Sequence, residues 1–208
     1  YENITQDFGG LKLAAVFTDN MVLQRNQPIT IYGTANGGDV VEVSFKSQKK
    51  SATTNQYGKW EVVFPAQTHG GHYEVTIKSY QKNIVLKNIL IGDVWFCSGQ
   101  SNMAFQLQQS ENGNEEIKKA LPNTAIRLFN FKDLRETDNT VWDSITLAKT
   151  NQLEFFSGSW SVCDSISAKD FSAIAYYFGK NIAREEDVPI GLIQVAVGGS
   201  PIESWIDR

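Results

Sequence analysis

Histidine, cysteine and long apolar runs are scarce in this sequence. Two histidines, His69 and His72, and two cysteines, Cys97 and Cys163, occur among 208 residues. Two cysteines do not make a disulfide framework. Cys97 lies in an apolar run that predicts a strand, so we interpret it as a small buried hydrophobic residue. No apolar run approaches the roughly 18 residues that a membrane helix needs, and no Lys- or Arg-rich run indicates a nucleic-acid groove. We therefore expect neither a membrane span nor a nucleic-acid partner.

Aromatic residues are plentiful, with five Trp, seven Tyr and twelve Phe, and the hydrophobic fraction is 41%. This composition is typical of a globular protein with a packed core. The formal net charge is −4, and 208 residues are enough for two domains. The chain begins at Tyr1 and shows no signal peptide, so we interpret it as a mature or shortened chain.

Apolar and polar residues alternate along residues 1–90, for example at Trp60, Val62 and Phe64. Period-two patterning predicts half-buried antiparallel strands, and glycine-rich turns separate the runs. We therefore predict a β-sandwich module over residues 1–90, without helices.

Two features of this module have a functional and a structural interpretation. Tyr57 and Trp60 are aromatic residues near a turn, which is one way in which β-modules bind sugar, but we expect Trp60 to be a core residue. His69 and His72 are flanked by glycines and have no third ligand nearby, so a plain turn is favoured over a metal site.

The periodicity changes after residue 90. Residues 91–97 and 190–197 are near-continuous apolar runs, which predict strands covered on both faces. Between them we predict an exposed helix over 111–120, a strand over 125–131 and an irregular stretch over 132–158. A helix over 170–186 is predicted from its apolar stripe, with Asp170 as N-cap. The stripe consists of Phe171, Ile174, Ala175, Phe178 and Ile182. Strand, helix and strand with short connections predict a parallel sheet, and hence an α/β domain over residues 91–208.

Polar turns follow two of these strands. Ser101 comes after the strand at 91–97, between Gln100 and Asn102, and Gly198 and Gly199 come after the strand at 190–197. Ligands of open α/β sheets collect at the carboxyl ends of the strands. Acyl transfer needs a nucleophile and oxyanion donors, for which we assign Ser101 and the glycine backbone. The amides of Gln100 and Asn102 are expected to anchor the turn.

The string from Gly92 to Met103 resembles the nucleophile block of the sialate O-acetylesterase family, which belongs to the SGNH/GDSL hydrolases. Further matches occur in the family's order along nearly the whole chain, one before this string at Phe17–Arg25 and three after it at Phe171–Gly179, Pro189–Ile193 and Gly198–Trp205. The resemblance implies a serine esterase that removes O-acetyl groups from sialic acid or a related carbohydrate through an acetyl-enzyme on Ser101. It implies oxyanion donation from the Ser101 backbone and from Gly198 or Gly199, and no metal or cofactor. Gly92 and Asp93 resemble the start of the family's G-D-S string. Val94 follows them in place of a serine, so this string does not contain the nucleophile.

The family's catalytic His and Asp lie in a D-x-x-H block, which is absent from this sequence. We therefore expect the chain to be the N-terminal portion of a longer enzyme, with the first half of the SGNH-type domain and no activity alone. It is then expected to need a C-terminal portion, a partner chain or self-association to be soluble. The alternatives are an acetylxylan-type esterase and a non-catalytic carbohydrate-binding protein. The family's usual setting implies export, to the periplasm or the extracellular space.

Overall fold

The computed structural model describes residues 10–120, 123–133, 141–151, 156–201 and 203. The chain divides into two compact units, Tyr1–Val94 and Trp95–Arg208. No helix among the described residues has the length and apolarity to cross a membrane.

The first unit is built from strands, and its described residues contain no helix. The strands are β1 (Lys12–Leu13), β2 (Val22–Gln24), β3 (Ile29–Thr34), β4 (Val40–Phe45), β5 (Gln48–Thr53), β6 (Lys59–Phe64), β7 (Gly70–Lys78) and the part of β8 (Asn83–Gly99) up to Val94. One antiparallel sheet has the order β1-β3-β6. In the other, β5, β4, β7 and β8 are antiparallel neighbours and β2 pairs in parallel with β8.

Alternating side chains of these strands form the core of the first unit. Along β6, Trp60, Val62 and Phe64 are buried and the residues between them are exposed. Phe45 of β4 meets Phe64 of β6 edge to face, with ring centroids 5.7 Å apart, so residues of the two sheets share one core. The core position predicted for Trp60 is confirmed, since 3% of it is exposed. The β-sandwich assignment stays a prediction.

The second unit combines strands with helices. Its strands are the end of β8, β9 (Asn123–Asn130), β10 (Lys132–Asp133), β11 (Phe156–Ser157), β12 (Trp160–Cys163) and β13 (Ile190–Ala196). Its helices are α1 (Ser101–Ala104), a 3-10 helix (Leu107–Gln109), α2 (Gly113–Lys119), α3 (Ser144–Asn151), α4 (Ser165–Lys169) and α5 (Ala173–Glu186).

The sheet of the second unit is mixed, with the order β12-β9-β13-β8. β9 and β13 are parallel, with Leu192 opposite Leu128, whereas β12 runs antiparallel to β9. The predicted parallel pairing is therefore confirmed for β9 and β13, whereas the antiparallel β12 at this edge was not predicted. Residues 131–159 separate β9 from β12 in the chain, and a mixed sheet with helices still fits an α/β hydrolase-like fold.

The irregular stretch predicted over 132–158 contains secondary structure. β10 and β11 pair antiparallel, and α3 lies between them in the chain. Residues 134–140 and 152–155 of this stretch lie outside the described residues.

Helix α5 begins later than predicted, and its buried face differs. Ser172 is the N-cap, because its hydroxyl accepts a hydrogen bond from Ala175 N at 3.2 Å, whereas Asp170 caps the end of α4. Ala175, Tyr176 and Gly179 are buried. A Cβ on Gly179 would lie 2.4 Å from Leu192, so the missing side chain lets α5 pack tightly on β13.

The predicted apolar coverage is wrong at several positions. Ile174 and Phe178 of the α5 stripe are 54% and 37% exposed, and Trp95 and Phe96 of β8 are 42% and 64% exposed. The Trp95 and Phe178 rings meet edge to face at 4.9 Å. Side chains in the described part of the second unit therefore leave these apolar residues partly exposed, although such apolar runs are typical of a core.

Candidate active site

Ser101 lies where β8 ends and α1 begins. It is the first residue of α1 and is exposed, and its hydroxyl takes part in no hydrogen bond among the described residues. Gly99 precedes it with φ +152°, in a region that favours glycine. A Cβ on Gly99 would lie 3.2 Å from the Cβ of Met103, so a side chain there would crowd the first turn of α1. The local sequence therefore produces a sharp turn that presents the serine outward.

Met103 anchors α1 to the rest of the unit. Its sulfur accepts a hydrogen bond from the Ser172 hydroxyl at 3.3 Å, and Ser172 N donates to the buried Gln194 Oε1 at 2.6 Å. Gln194 belongs to β13, so side chains and backbone of α1, α5 and β13 are joined. Our reasoning from sequence missed this network, whose signal was a polar glutamine inside the apolar run 190–197.

The second turn follows β13. Gly199 has φ +74°, and Ser200 closes the turn by donating from its hydroxyl to Val197 O at 2.7 Å. Among the described residues, no heavy atom lies within 4 Å of the position that a Cβ would take on Gly198 or Gly199. The backbone of this turn is therefore open to an approaching ligand.

Two hydrogen bonds join the two turns. Val197 N donates to Gly99 O at 3.1 Å, and Gln100 Nε2 donates to Ser200 O at 3.2 Å. Gln100 therefore uses its amide to hold the second turn against the first. Asn102 is exposed, and its side chain makes no hydrogen bond within the described part of the chain. Ser101, Gln100, Gly198 and Gly199 thus lie at one end of the sheet, while their catalytic roles stay predictions.

The cysteines are poor nucleophiles in this setting. Both are free and buried. Burial raises the pKa of the Cys97 thiol, and burial with the nearby charge of Asp164 raises the pKa of Cys163 to about 12. Attack requires a thiolate, so at neutral pH both residues act as packing groups.

His72 and Asp93 each have a hydrogen-bond partner within the first unit. His72 lies on β7 in the first unit, where its Nδ1 is hydrogen-bonded to Asn88 Oδ1, and the second unit contains no histidine. Asp93 accepts a bidentate pair of hydrogen bonds from Arg25, at 2.9 Å from Nε and 2.8 Å from the terminal nitrogen. Asp93 therefore has a structural partner. No cluster of three or more His, Cys, Asp or Glu suited to a metal ion occurs among residues that the structure describes.

Comparisons with known proteins agree on one family. A family model described as carbohydrate esterase, sialic acid-specific acetylesterase, matches residues 91–208. The chain is 27% identical to the sialate O-acetylesterases of Homo sapiens, over 210 residues, and of Rattus norvegicus, over 215 residues. These matches cover 94% and 96% of this chain but 39% and 38% of the relatives.

A solved structure is similar over the same extent. The crystal structure of a carbohydrate acetylesterase from Xanthomonas citri superposes with a TM-score of 0.78 at 28% identity. The match covers 94% of this chain and 42% of that chain. The chain thus spans about two fifths of the length of these proteins.

Proposed function

Since the chain belongs to the carbohydrate esterase family of sialic acid-specific acetylesterases, we propose that it supplies the nucleophile of a serine esterase. This esterase removes O-acetyl groups from sialic acid or a related acetylated carbohydrate. The family membership confirms the resemblance that the sequence indicated.

One observation carries the proposal: the Ser101 turn and the Gly198–Gly199 turn are hydrogen-bonded to each other at the end of the sheet. The Ser101 hydroxyl attacks the acetyl carbonyl and loses its proton to a base. The negative oxygen of the tetrahedral intermediate receives hydrogen bonds from the Ser101 backbone and from Gly198 or Gly199. The alcohol of the sugar leaves with a proton, and water then releases acetate from the acetyl-enzyme. No metal or cofactor enters these steps.

The base is proposed to come from residues outside these 208. The second unit has no histidine, and a serine without a base is a weak nucleophile. The chain alone is therefore expected to be nearly inactive, because loss of a triad member costs several orders of magnitude in rate.

Hydrolysis of p-nitrophenyl acetate tests this proposal, with added imidazole as a substitute base. Without imidazole, we expect the chain and its Ser101→Ala variant to react at the same background rate. With imidazole, the unaltered chain should exceed Ser101→Ala, while the matched variant Ser165→Ala, at an exposed helical serine, should equal the unaltered chain. Rates are taken above that of imidazole alone, because imidazole itself cleaves this ester. Imidazole-free turnover that disappears in Ser101→Ala would contradict the missing base, and an imidazole-dependent excess that survives Ser101→Ala would contradict the nucleophile.

An acetylxylan-type esterase is the second candidate, because the same chemistry applies to both substrates. Acetate release from O-acetylated sialic acid and from acetylated xylan, in the imidazole-supplemented reaction, separates the two. A non-catalytic carbohydrate-binding role would be favoured if glycan binding occurred with no acetate release from either.

The organisation of the chain completes the proposal. Residues 1–90 form a β-sandwich module, and residues 91–208 form the N-terminal part of an SGNH-type hydrolase domain. The proposed setting is outside the cytoplasm, where acetylated glycans are found, and the C-terminal portion of the domain or a second copy of the chain covers the exposed apolar residues.

A further inference from the structure

A polar cavity of about 300 Å³ opens in the second unit, away from the two turns. Its walls come from the end of β9, from β12 and its preceding residues, and from α4 and the residues after it. The lining includes Lys132, Ser159, Ser161, Ile166, Ser167 and Asp170. This volume lies at the lower end of the range for small-molecule sites and suits one sugar ring.

Several polar groups of the lining are not used by the fold. Within the described part of the chain, the hydroxyls of Ser159 and Ser161 and the ammonium of Lys132 take part in no hydrogen bond or ion pair. Asp170 accepts a hydrogen bond from Gln108 Nε2 at 2.8 Å through Oδ1, which leaves Oδ2 available. By contrast, Ser167 is engaged, since it donates to Val162 O at 2.7 Å. The available set therefore contains donors and an acceptor directed to one small volume.

The composition of the lining selects the ligand class. Lys132 and Asp170 have opposite charges, so the site favours neither a polyanion nor a polycation. Ile166, of which 83% is exposed, supplies the apolar surface on which the C–H face of a ring can pack. Hydroxyl and carboxylate groups beside an apolar side chain match a pyranose, which has hydroxyls at its rim and C–H groups on its faces.

The position of the cavity relates it to Ser101. Asn130 ends β9, whose parallel neighbour β13 leads into the Gly198–Gly199 turn and lies beside β8. Adjacent strands are about 4.8 Å apart, so the cavity lies roughly 10 Å along the sheet edge from the end of β8. The wall at Phe171 is also tied to the segment after α1, because Leu107 N donates to Phe171 O at 2.8 Å. A sugar neighbouring the acetylated one could span this distance.

We propose that this cavity is a glycosyl subsite, which holds a sugar unit of the substrate while the acetyl group lies at Ser101. The inference rests on the proposed function and deepens it. In the subsite, Asp170 Oδ2 accepts from sugar hydroxyls, and Ser159, Ser161 and Lys132 donate to ring or hydroxyl oxygens. A carboxylate on an acidic sugar would pair with Lys132, and a neutral sugar would use the hydroxyl donors alone.

Binding of unacetylated sugars tests the subsite. N-acetylneuraminic acid and xylobiose are titrated separately into the 208-residue chain, with ligand-observed NMR as readout. We expect at least one to bind, and Ser159→Phe, which adds a bulky ring to the cavity lining, to abolish that binding. The same substitution at the exposed Ser165, which does not line the cavity, should leave binding unchanged.

Asp170→Asn is the second variant, because its remaining carbonyl can still accept from Gln108 while the acceptor for the sugar is lost. We expect it to weaken binding about tenfold, as loss of one charge-assisted hydrogen bond does. Binding of neither sugar, or binding that both Ser159→Phe and Asp170→Asn leave unchanged, would overturn the subsite.

The same experiment separates the two proposals. An unacetylated sugar has no ester to cleave, so Ser101→Ala should bind it like the unaltered chain. Hydrolysis of p-nitrophenyl acetate involves no sugar and reports on Ser101 alone. Sugar binding without imidazole-dependent hydrolysis would contradict the esterase, and hydrolysis without sugar binding would contradict the subsite.

Discussion

At the residue scale, the two glycines after β13 differ in what their backbones require. Gly199 has φ +74°, whereas Gly198 does not lie in the left-handed region, and an added Cβ on either would meet no neighbour in the described part of the chain. Replacement of Gly199 by Ala should therefore lower the free energy of unfolding by about 1 kcal/mol through backbone strain. Gly198→Ala is the matched control and should change it by less than about 0.5 kcal/mol.

Urea denaturation of the two variants checks this difference. Equal stabilities of Gly198→Ala and Gly199→Ala would show that the turn adapts to a side chain at either position, and would remove the reason for glycine at 199.

Single residues were predictable where their immediate neighbours decide their environment. Trp60 alternates with polar residues on one strand, so its burial followed from the pattern. The turn at Ser101 was recognisable because an apolar strand runs directly into small and amide residues. The partners of Gln100 and Asp93 were not predictable, because Ser200 and Arg25 are 100 and 68 positions away in the chain. Only the folded structure brings such residues together.

At the element scale, helix α5 shows what an apolar stripe does not tell. The stripe predicted a helix, but Ile174 and Phe178 lie on its exposed side, while Gly179 packs on Leu192. Hydrophobic periodicity gives no weight to glycine, although Gly179 is the residue that allows α5 to pack closely on β13. Short elements such as α4 and β12 were missed because five or fewer residues carry too little periodicity.

Helices α2 and α5 are joined by a charge pair whose contribution depends on pH. Glu116 of α2 accepts hydrogen bonds from Lys180 and, at 3.3 Å, from Tyr176 OH, both of α5. The hydrogen bond from Lys180 lowers the pKa of the Glu116 carboxyl. Burial raises the pKa of Tyr176, which therefore stays a donor at neutral pH. Because the folded state lowers the carboxyl pKa, the pair stabilises the protein at neutral pH and loses this effect as pH falls through that lowered value.

Glu116→Gln should consequently reduce the free energy of unfolding by about 1 kcal/mol at pH 7, with the difference vanishing in acid. Thermal unfolding over a pH series measures this. Glu115→Gln is the control. It also removes a glutamate charge, but the exposed pair of Glu115 with Lys118 lies within α2 and does not join two helices. A Glu116→Gln effect that is the same at acidic and neutral pH would mean that the carboxylate charge is not its source.

At the scale of the whole molecule, the class of fold was more predictable than its edges. The switch from period-two alternation to buried strands with helices marks a change from an all-β part to an α/β part. The antiparallel β12 was not foreseen, because strand direction depends on which elements pair across the sheet. The cavity beside it was likewise beyond prediction, since its lining comes from three separate segments.

The exposed apolar surface formed by Trp95, Ile174 and Phe178 predicts self-association of the chain. Contiguous apolar side chains gain free energy when a partner covers them. Light scattering of the chain at increasing concentration should show a rising average mass, and Ile174→Lys should reduce it. Tyr80 is 99% exposed in the first unit, so Tyr80→Lys is a control expected to change nothing. A monodisperse monomer at all concentrations would contradict the prediction.

For the whole arrangement, we propose that Ser101 is the nucleophile and that it lies beside its oxyanion donors. Peptide mass spectrometry after incubation with p-nitrophenyl acetate and imidazole tests it most directly. We expect an acetyl group on the peptide that contains Ser101, well above the level at Ser165, which is also exposed, and none on that peptide in Ser101→Ala. Acetylation of Ser101 no greater than that of Ser165 would contradict the account.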